Sequence, residues 1–563
     1  MGEQLKNIVP AQGDKLSLTV LGSVSAQEEA GQKEIEKVEH ERSKPRRGRT
    51  IMLQGTASDV GKSVVTTALC RILKQDGYKV APFKSQNMAL NSYVTPDGKE
   101  IGRAQGVQAE ACGVMATTDM NPVLLKPMQE MSSQVVVHGK PYQNLSARDY
   151  RSSFLPEAKR IVVDAVNRLR DEYDIVVMEG AGSPAEINLK HNDIVNMNMA
   201  AWADAPVILV ADIDRGGVFA FIVGTLELLE PHERERVRGI IINKFRGDVS
   251  LLQPGIEWLE ERTGIPVLGV LPYANDLDIE AEDSVALEQW KGKAEPENDL
   301  DIAIMALPHI SNFTDIDPLI AEPDVRVRYV RKPEELGNPD AIVIPGTKST
   351  MADLEWLRST GLAEAVQHYA AQHLGSVAGI CGGYQMLGQH LSDPAGAEAE
   401  AGATMEGLGL LPLATEFAAE KRTQRVSGVV SASQLVGTPM HQVPVEGYEI
   451  HMGRSMITTH TGTSIEAEPL FRLDGDGGAD GCVTESGRLF GTYMHGVFHN
   501  DAFRRGWLNG LRLKQGIAPL PTVLNYNAKR EDAFDRLADL VRSNLQMDVL
   551  YRILQVDNQE DRV

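Results

Sequence analysis

The sequence predicts an α/β fold made of two α/β domains, and three features of the chain support that prediction. Across residues 49–287, short apolar runs alternate with stretches of helical spacing, the pattern of a parallel sheet covered by helices. A second series of the same kind begins near residue 302, after the polar stretch 288–301. The chain has 563 residues, which is enough for two large domains with sizeable cores.

The predicted domain organisation has five parts. Residues 1–48 are highly charged and predict a flexible extension. Residues 49–287 form the first domain, 288–301 the linker and 302–525 the second domain. Residues 526–563 carry apolar positions at helical spacing, so we expect one or two helices that pack back on the body.

The composition excludes several classes of function. The chain has 56 basic and 78 acidic residues, a formal net charge of −22, so we expect no broad face for nucleic acid or for an anionic membrane. Its four scattered cysteines argue against a disulfide framework or a cysteine zinc site and favour a cytoplasmic location. We see neither a membrane span nor a secretory signal. The expected partners are small molecules, and the composition gives no oligomeric state.

The first domain opens with a predicted phosphate-binding loop. The segment "GTASDVGKS", Gly55 to Ser63, has the pattern G-x-x-x-x-G-K-[ST] and lies between the strand "TIMLQ" and the helix "KSVVTTALCRILKQDG". In such a loop, backbone N–H groups and the helix N-terminus hold the phosphates of a nucleotide. Lys62 would pair with the outer phosphates and Ser63 would bind Mg²⁺. The other predicted contacts within the motif are Gly55, Thr56 and Gly61.

Three more side chains are candidates for the same site. Glu179 ends the strand in "DIVVMEGAG", where a carboxylate would face the phosphates and hold the metal, although it could also be an ordinary loop charge. Asp59 lies inside the loop and could assist the metal or the acceptor. Lys84, in "VAPFKSQN", could neutralise a phosphate during its transfer. The expected cofactors are therefore ATP and Mg²⁺.

The residue after the first loop glycine distinguishes two kinds of phosphate-binding protein. Partitioning-type ATPases carry an extra lysine there, whereas this chain has Thr56. The loop resembles that of dethiobiotin synthetase and its relatives, which phosphorylate a carboxylate-like group to make it reactive. This resemblance implies an enzyme rather than a dimerising switch.

The second domain contains a thiol in a glycine-rich turn. In "GICGGYQMLG", Cys381 follows an apolar strand and precedes a predicted helix, the geometry of a nucleophile elbow. Side chains would clash in so sharp a turn, which explains Gly379, Gly382 and Gly383. A helix N-terminus favours the thiolate, which can attack an amide carbon. The alternative is a buried structural thiol.

A base and an oxyanion hole should accompany this thiol. His495, in "GTYMHGVFHN", is the predicted base, with His451 and His499 as competitors. The segment "VIPGTKST" ends a strand at Gly346 and Thr347. We expect its backbone N–H groups and that of Gly382 to bind the developing oxyanion.

With these residues in place, the second domain resembles class I glutamine amidotransferases, in which a Cys–His pair releases ammonia from glutamine. Typical members have an acid two residues after the histidine, and this chain has Val497 there. The departure resembles the branch that includes cobyric acid synthase and cobyrinic acid a,c-diamide synthase. For that branch the resemblance implies a Cys381–His495 dyad without the usual third member.

Two further blocks select a family within that branch. "KSQNMALNSYVTPDGKEIGRAQGVQAEACG" (84–113) and "LPHISNFTDIDPL" (307–319) resemble the cobyric acid synthase family, as does the order of the two domains. The resemblance implies ATP-dependent amidation of the b, d, e and g carboxylates of adenosylcobyrinic acid a,c-diamide, with glutamine as nitrogen donor. It also implies internal passage of ammonia between two active sites.

The block 84–113 supplies the candidate contacts to the corrinoid. Their polar side chains suit the propionate and amide groups of a corrin. They are Gln86, Asn87, Asn91, Arg103 and Gln105. Two other functions stay open: a related glutamine-dependent ligase such as cobyrinic acid a,c-diamide synthase, and a non-catalytic P-loop ATPase switch.

Overall fold

The computed structural model describes residues 47–129, 132–146, 149–150, 154–190, 193–274, 277, 300–458, 466–475, 478–522 and 524–556. Most of the predicted extension and most of the predicted linker lie outside these residues. Leu300 and Asp301, which the sequence assigns to the linker, already belong to a strand, so the second domain begins slightly earlier than predicted. None of the described helices is long and apolar enough to cross a membrane.

The first domain is built from twelve strands and seven helices within the described residues. In chain order they are β1 (Arg49–Gly55), α1 (Lys62–Gln75), β2 (Val80–Phe83), β3 (Gln86–Met88), β4 (Ser92–Val94), β5 (Glu100–Gly102), α2 (Arg103–Cys112), β6 (Val123–Gln129), β7 (Ser132–Val137), β8 (Lys140–Ser146), α3 (Leu155–Glu172), β9 (Ile175–Glu179), α4 (Met197–Trp202), β10 (Val207–Asp212), α5 (Val218–Leu228), α6 (Pro231–Arg234), β11 (Val237–Phe245), α7 (Gln253–Thr263) and β12 (Val267–Pro272).

A parallel six-stranded sheet forms the centre of this domain, in the order β12–β11–β10–β1–β9–β2. Helices cover both faces, so the strands are apolar on both sides. On β1, for example, Met52 packs in the core on one face, and Ile51 and Leu53 pack in the core on the other. All carboxyl ends of the parallel strands lie at one edge, where a ligand site is expected.

The second domain carries the remaining strands and most of the remaining helices. In chain order the elements are β13 (Leu300–Met305), α8 (Asp317–Ala321), β14 (Val325–Val330), α9 (Pro333–Leu336), β15 (Ala341–Ile344), α10 (Thr350–Ser359), α11 (Leu362–Ala371), β16 (Ser376–Ile380), α12 (Gly382–Leu387), β17 (His390–Asp393), β18 (Ala403–Glu406), β19 (Leu413–Val430), β20 (Gln434–Leu435), β21 (Thr438–Pro439), β22 (Pro444–Ile457), β23 (Ala467–Glu468), β24 (Phe471–Leu473), β25 (Ala479–Asp480), β26 (Cys482–Thr484), β27 (Leu489–Thr492), α13 (Asp501–Lys514), α14 (Tyr526–Asn544) and α15 (Met547–Leu554).

Its main sheet has the order β14–β13–β15–β16–β27–β26–β23, and the first five strands are parallel. A second sheet contains the long antiparallel pair β19 and β22, which accounts for the β-rich sequence in this part of the chain. The predicted fold class of two α/β domains is confirmed.

The last two helices lie on the first domain rather than on the second. Residues of α14 and α15 share the apolar core of β1 and α1. Arg71 of α1 forms ion pairs with Asp535 and Glu531 of α14, and Arg542 pairs with Asp76. The chain therefore returns to its first domain after completing the second.

The two domains also contact each other through the β4–β5 hairpin. Glu100 of β5 is buried and pairs with Lys126 of β6 and with Lys421 of β19, the latter at 2.5 Å. Burial opposes ionisation of Glu100, but the two lysines outweigh it and lower its pKa. Breaking such a buried pair would leave an uncompensated charge, so this network ties the domains together.

Candidate functional site

The thiol turn lies at the carboxyl end of β16. Cys381 has a φ of 50°, an unusual value for a residue with a side chain. Its sulfur is buried and lies 3.8 Å from the carbonyl oxygen of Ile450. A Cβ on Gly383 would meet the carbonyl oxygen of Ile344 at 2.0 Å, so the close approach of β15 requires glycine. This crowding agrees with the reason predicted for the flanking glycines.

His495 follows β27, the strand next to β16, which brings it to the thiol. Strand pairing places Ile380 opposite Thr492, three residues before His495. The imidazole is fully buried and is hydrogen-bonded to Cys381. Burial alone would lower the pKa of His495, but the charges of Asp315 and Cys381 outweigh burial and raise it to about 10. The structure thus brings together the predicted nucleophile and the predicted base.

The structure corrects the expectation of a dyad without a third member. The Asp315 carboxylate lies 2.7 Å from Nδ1 of His495 and also accepts the backbone N–H of Gly496 at 2.7 Å. Asp315 belongs to a 3₁₀ turn, Phe313–Ile316, after β13. Because Nδ1–H points to this acid, Nε2 is left facing the thiol, as in a Ser–His–Asp triad.

The predicted oxyanion donors lie beside the thiol turn. The backbone nitrogen of Thr347 is 3.2 Å from the position that a Cβ on Gly382 would occupy. Gly346 lies against the imidazole, since a Cβ there would meet Cε1 of His495 at 2.9 Å. The Thr347 hydroxyl donates to the buried Asp353 at 2.5 Å, which fixes the turn that carries these N–H groups.

The two competing histidines have other surroundings. Nδ1 of His451 lies 2.7 Å from the carbonyl oxygen of Gly453, and its ring stacks on Tyr493. His499 packs edge-on against Tyr526. Among the described residues, the hydrogen bond between an imidazole and Cys381 comes from His495, so we keep it as the candidate base.

The phosphate-binding loop connects β1 to α1, as the motif predicts. Gly61 precedes α1 with a φ of 94°, and a Cβ there would meet Nδ2 of Asn243 at 2.2 Å, so both backbone and space require glycine. The ammonium group of Lys62 donates to the carbonyl oxygens of Ala57 and Gly182, each at 3.2 Å. It is thus held over the loop, where phosphates bind in such motifs.

Glu179 is the centre of the polar groups at this edge of the sheet. Its carboxylate accepts the Ser63 hydroxyl at 2.8 Å and the Lys84 ammonium at 3.0 Å. Its second oxygen accepts Nε2 of Gln108 at 2.8 Å, a contact that the sequence analysis missed. Asp59 lies at the exposed rim instead, where its carboxylate is 3.8 Å from Arg215. The structure therefore brings Ser63, Lys84 and Glu179 together and separates Asp59 from that group.

The donor set around Glu179 fits a magnesium ion. Mg²⁺ prefers oxygen ligands and is usually held by one or two protein groups together with phosphates. A carboxylate and a hydroxyl meet here, and Oε1 of Gln108 is buried beside them without a partner among the described protein groups. An acceptor oxygen in this position suits a cation or its water shell.

The five predicted corrinoid contacts do not form one surface. Gln86 accepts the Tyr150 hydroxyl, and the buried pair Asn87 and Gln105 are hydrogen-bonded to each other at 3.0 Å. Arg103 lies over the ring of Tyr93.

Asn91 has a role that was not predicted. Its side-chain oxygen accepts the backbone N–H of Phe313 at 3.3 Å, so it joins the first domain to the turn that carries Asp315.

Known proteins of similar sequence have the same arrangement of parts. The CobQ/CobB/MinD/ParA nucleotide binding domain matches residues 51–285, and the CobB/CobQ-like glutamine amidotransferase domain matches residues 301–503. The cobyric acid synthases of Desulforamulus reducens and Salmonella arizonae are each 52% identical to this chain, over 90% of it and 98% of their own length. That of Geobacillus sp. is 50% identical over 88% of this chain and 95% of its own.

A nucleotide-binding domain and a glutamine amidotransferase domain in one chain define a carbon–nitrogen ligase with glutamine as the amido donor. The chain belongs to the cobyric acid synthase family of cobalamin biosynthesis. The predictions of family and enzyme class are confirmed.

Proposed function

We propose that this protein uses ATP and glutamine to amidate the b, d, e and g carboxylates of adenosylcobyrinic acid a,c-diamide, giving adenosylcobyric acid. The observation that carries the proposal is the presence of two complete sets of reactive groups in one chain. One set surrounds Cys381 and the other surrounds Glu179. The name shared by the most similar relatives supports this substrate over the a,c-diamide synthase alternative.

At the first site, the Cys381 thiolate attacks the side-chain carbonyl of glutamine. Backbone N–H groups of Thr347 and Gly382 stabilise the oxyanion. His495 donates a proton from Nε2 to the departing ammonia, and Asp315 stabilises the imidazolium and fixes its orientation. Water, with His495 then acting as base, cleaves the thioester and releases glutamate.

At the second site, a corrin carboxylate becomes reactive by phosphorylation. The carboxylate oxygen attacks the γ-phosphorus of ATP, ADP leaves, and an acyl phosphate forms. Lys62 and Lys84 balance the charge of the transferring phosphoryl group. Ser63 and Glu179 would hold Mg²⁺, which when bound spreads the charge of the phosphates. Ammonia then replaces phosphate at the acyl carbon, giving the amide.

Substrate identity is tested by mass spectrometry of a corrin a,c-diamide incubated with ATP, Mg²⁺ and glutamine. We expect four successive small mass decreases, each the replacement of OH by NH₂, with one ATP hydrolysed for each. The corresponding cobyrinic acid, which has free a and c groups, is the comparison substrate. No mass change of the a,c-diamide, with amidation of cobyrinic acid at its a and c groups, would assign the protein to the alternative function.

The triad can be tested through its third member. Asp315→Asn should lower glutamine hydrolysis about 10²- to 10⁴-fold, because the imidazolium loses its balancing charge and its pKa falls from about 10. The activity that remains should shift toward higher pH, since the thiolate then forms without the ion pair. Ammonium-dependent amidation should be unchanged. A wild-type pH profile of glutamine hydrolysis in the variant would show that Asp315 does not act on His495.

A further inference from the structure

Asn312 is a buried residue that contacts both His495 and the first domain. Its Nδ2 lies 3.4 Å from Nε2 of His495, the nitrogen that serves the thiol. Its Oδ1 accepts the backbone N–H of Ser92, in β4 of the first domain, at 2.9 Å. Asn312 has a φ of 52°, a backbone conformation that asparagine tolerates better than most residues.

The contact with Ser92 fixes the orientation of the Asn312 amide. A backbone N–H can only donate, so it holds the amide oxygen on its own side and turns the amide N–H groups toward His495. In this orientation Asn312 competes with the thiol for the lone pair of neutral His495. Against the imidazolium, it places donor against donor. Either way, the orientation disfavours the reactive thiolate–imidazolium pair.

A second contact from the same strand reaches the imidazole. The ring of Tyr448 stacks on that of His495, with centroids 5.2 Å apart, and the backbones of the two residues exchange hydrogen bonds. The Tyr448 hydroxyl donates to the carbonyl oxygen of Ser92 at 3.5 Å. Both polar backbone groups of Ser92 therefore touch residues that hold His495.

The same hairpin leads directly to the phosphate site. Ser92 pairs with Gly102 at the end of β5, and α2 begins at the next residue. The backbone N–H of Arg103 donates to the carbonyl oxygen of Asn91 at 3.2 Å. On α2, Gln108 donates to Glu179. A ligand that engages Glu179 competes with this bond, and α2 is joined to Ser92 at its other end.

We propose that Asn312 is a positioning residue that couples glutamine hydrolysis to the state of the ligase site. This inference rests on the proposed function. With the ligase site empty, Ser92 holds the Asn312 amide N–H against His495 and hydrolysis is slow. Loading of the ligase site shifts α2 and β4 and releases Oδ1 from Ser92. The amide then turns and its oxygen accepts Nε2–H of the imidazolium. Ammonia is thereby made only when an acceptor is ready.

The test compares two rates of glutamate formation, one with glutamine alone and one with ATP, Mg²⁺ and corrin a,c-diamide added. Their ratio should be well above one in the wild-type protein. Asn312→Asp places an acceptor opposite Nε2 permanently, and Asn312→Gly removes the amide; both residues tolerate this φ. Each variant should raise the rate with glutamine alone about tenfold, the effect of one hydrogen bond, and bring the ratio close to one.

Asn509→Asp is the matched control, because Asn509 contacts only the Leu520 backbone in its printed hydrogen bonds and lies on α13. Its ratio should equal that of the wild type. An unchanged ratio in both Asn312 variants would overturn the proposal, even if their rates fell. So would a wild-type ratio of one accompanied by normal amidation. Absence of both glutamine hydrolysis and ammonium-dependent amidation in the wild type would instead overturn the proposed function, and this inference with it.

Discussion

Cys381→Ala should abolish amidation with glutamine and leave amidation with concentrated ammonium intact. The thiolate is the group that cleaves the glutamine amide, and we expect its loss to cost about 10⁴-fold or more. Free ammonia bypasses that step, because it reacts directly with the activated carboxylate. The measurement is amide formation from the corrin substrate with each nitrogen source, together with glutamate release.

Cys482→Ala is the control for this variant. Cys482 is also a buried, unpaired thiol, but it lies in β26 and has no role in the proposed reaction. Its variant should use both nitrogen sources. If Cys381→Ala folds normally and loses ammonium-dependent amidation as well, the separation into two sites is wrong.

Lys62→Ala should have the complementary effect, stopping amidation from either nitrogen source. Lys62 lies over the phosphate loop, 3.2 Å from the carbonyl oxygens of Ala57 and Gly182. Removing a preorganised charge at a transferring phosphoryl group should lower amidation at least about 10²-fold. Glutamine hydrolysis without ligase substrates should continue, since the Cys381 site does not depend on this charge.

The control is Lys140→Ala, which removes an exposed lysine of β8 at no expected cost to amidation. Near-normal amidation by Lys62→Ala, with either nitrogen source, would mean that carboxylate activation does not occur at this loop.

The parts predicted well from the sequence are those with local signals. The strand ending at Glu179 is apolar throughout because it is buried on both faces. The phosphate loop is a continuous motif, and its glycines answer to local backbone geometry. Cys381 is recognisable because the sharp turn around it excludes side chains.

The parts that were missed depend on contacts distant in the sequence. Asp315 is 180 residues from His495 and reaches it only because β13 and β27 belong to the same sheet. Gln108 and Glu179 are likewise 71 residues apart. Asp315 lies within the quoted block 307–319, so that block held a signal, but nothing in its local pattern distinguishes this acid from Asp317.

The corrinoid contacts show a different limit. Polar residue types in the block 84–113 suggested an acceptor surface, yet Asn91 is used to join the domains. A carboxamide serves equally well in a ligand site and in a buried interface, because it both donates and accepts hydrogen bonds. Residue type alone therefore cannot assign its role.

The central claim is that nitrogen freed at Cys381 is used at Glu179 within the same protein. The most direct test repeats the corrin a,c-diamide reaction with amide-¹⁵N-labelled glutamine in an excess of unlabelled ammonium at neutral pH. Mass spectrometry should find ¹⁵N in nearly every new amide. A ¹⁵N content equal to that of the mixed ammonium pool would contradict the account, since the nitrogen would have left the protein before use.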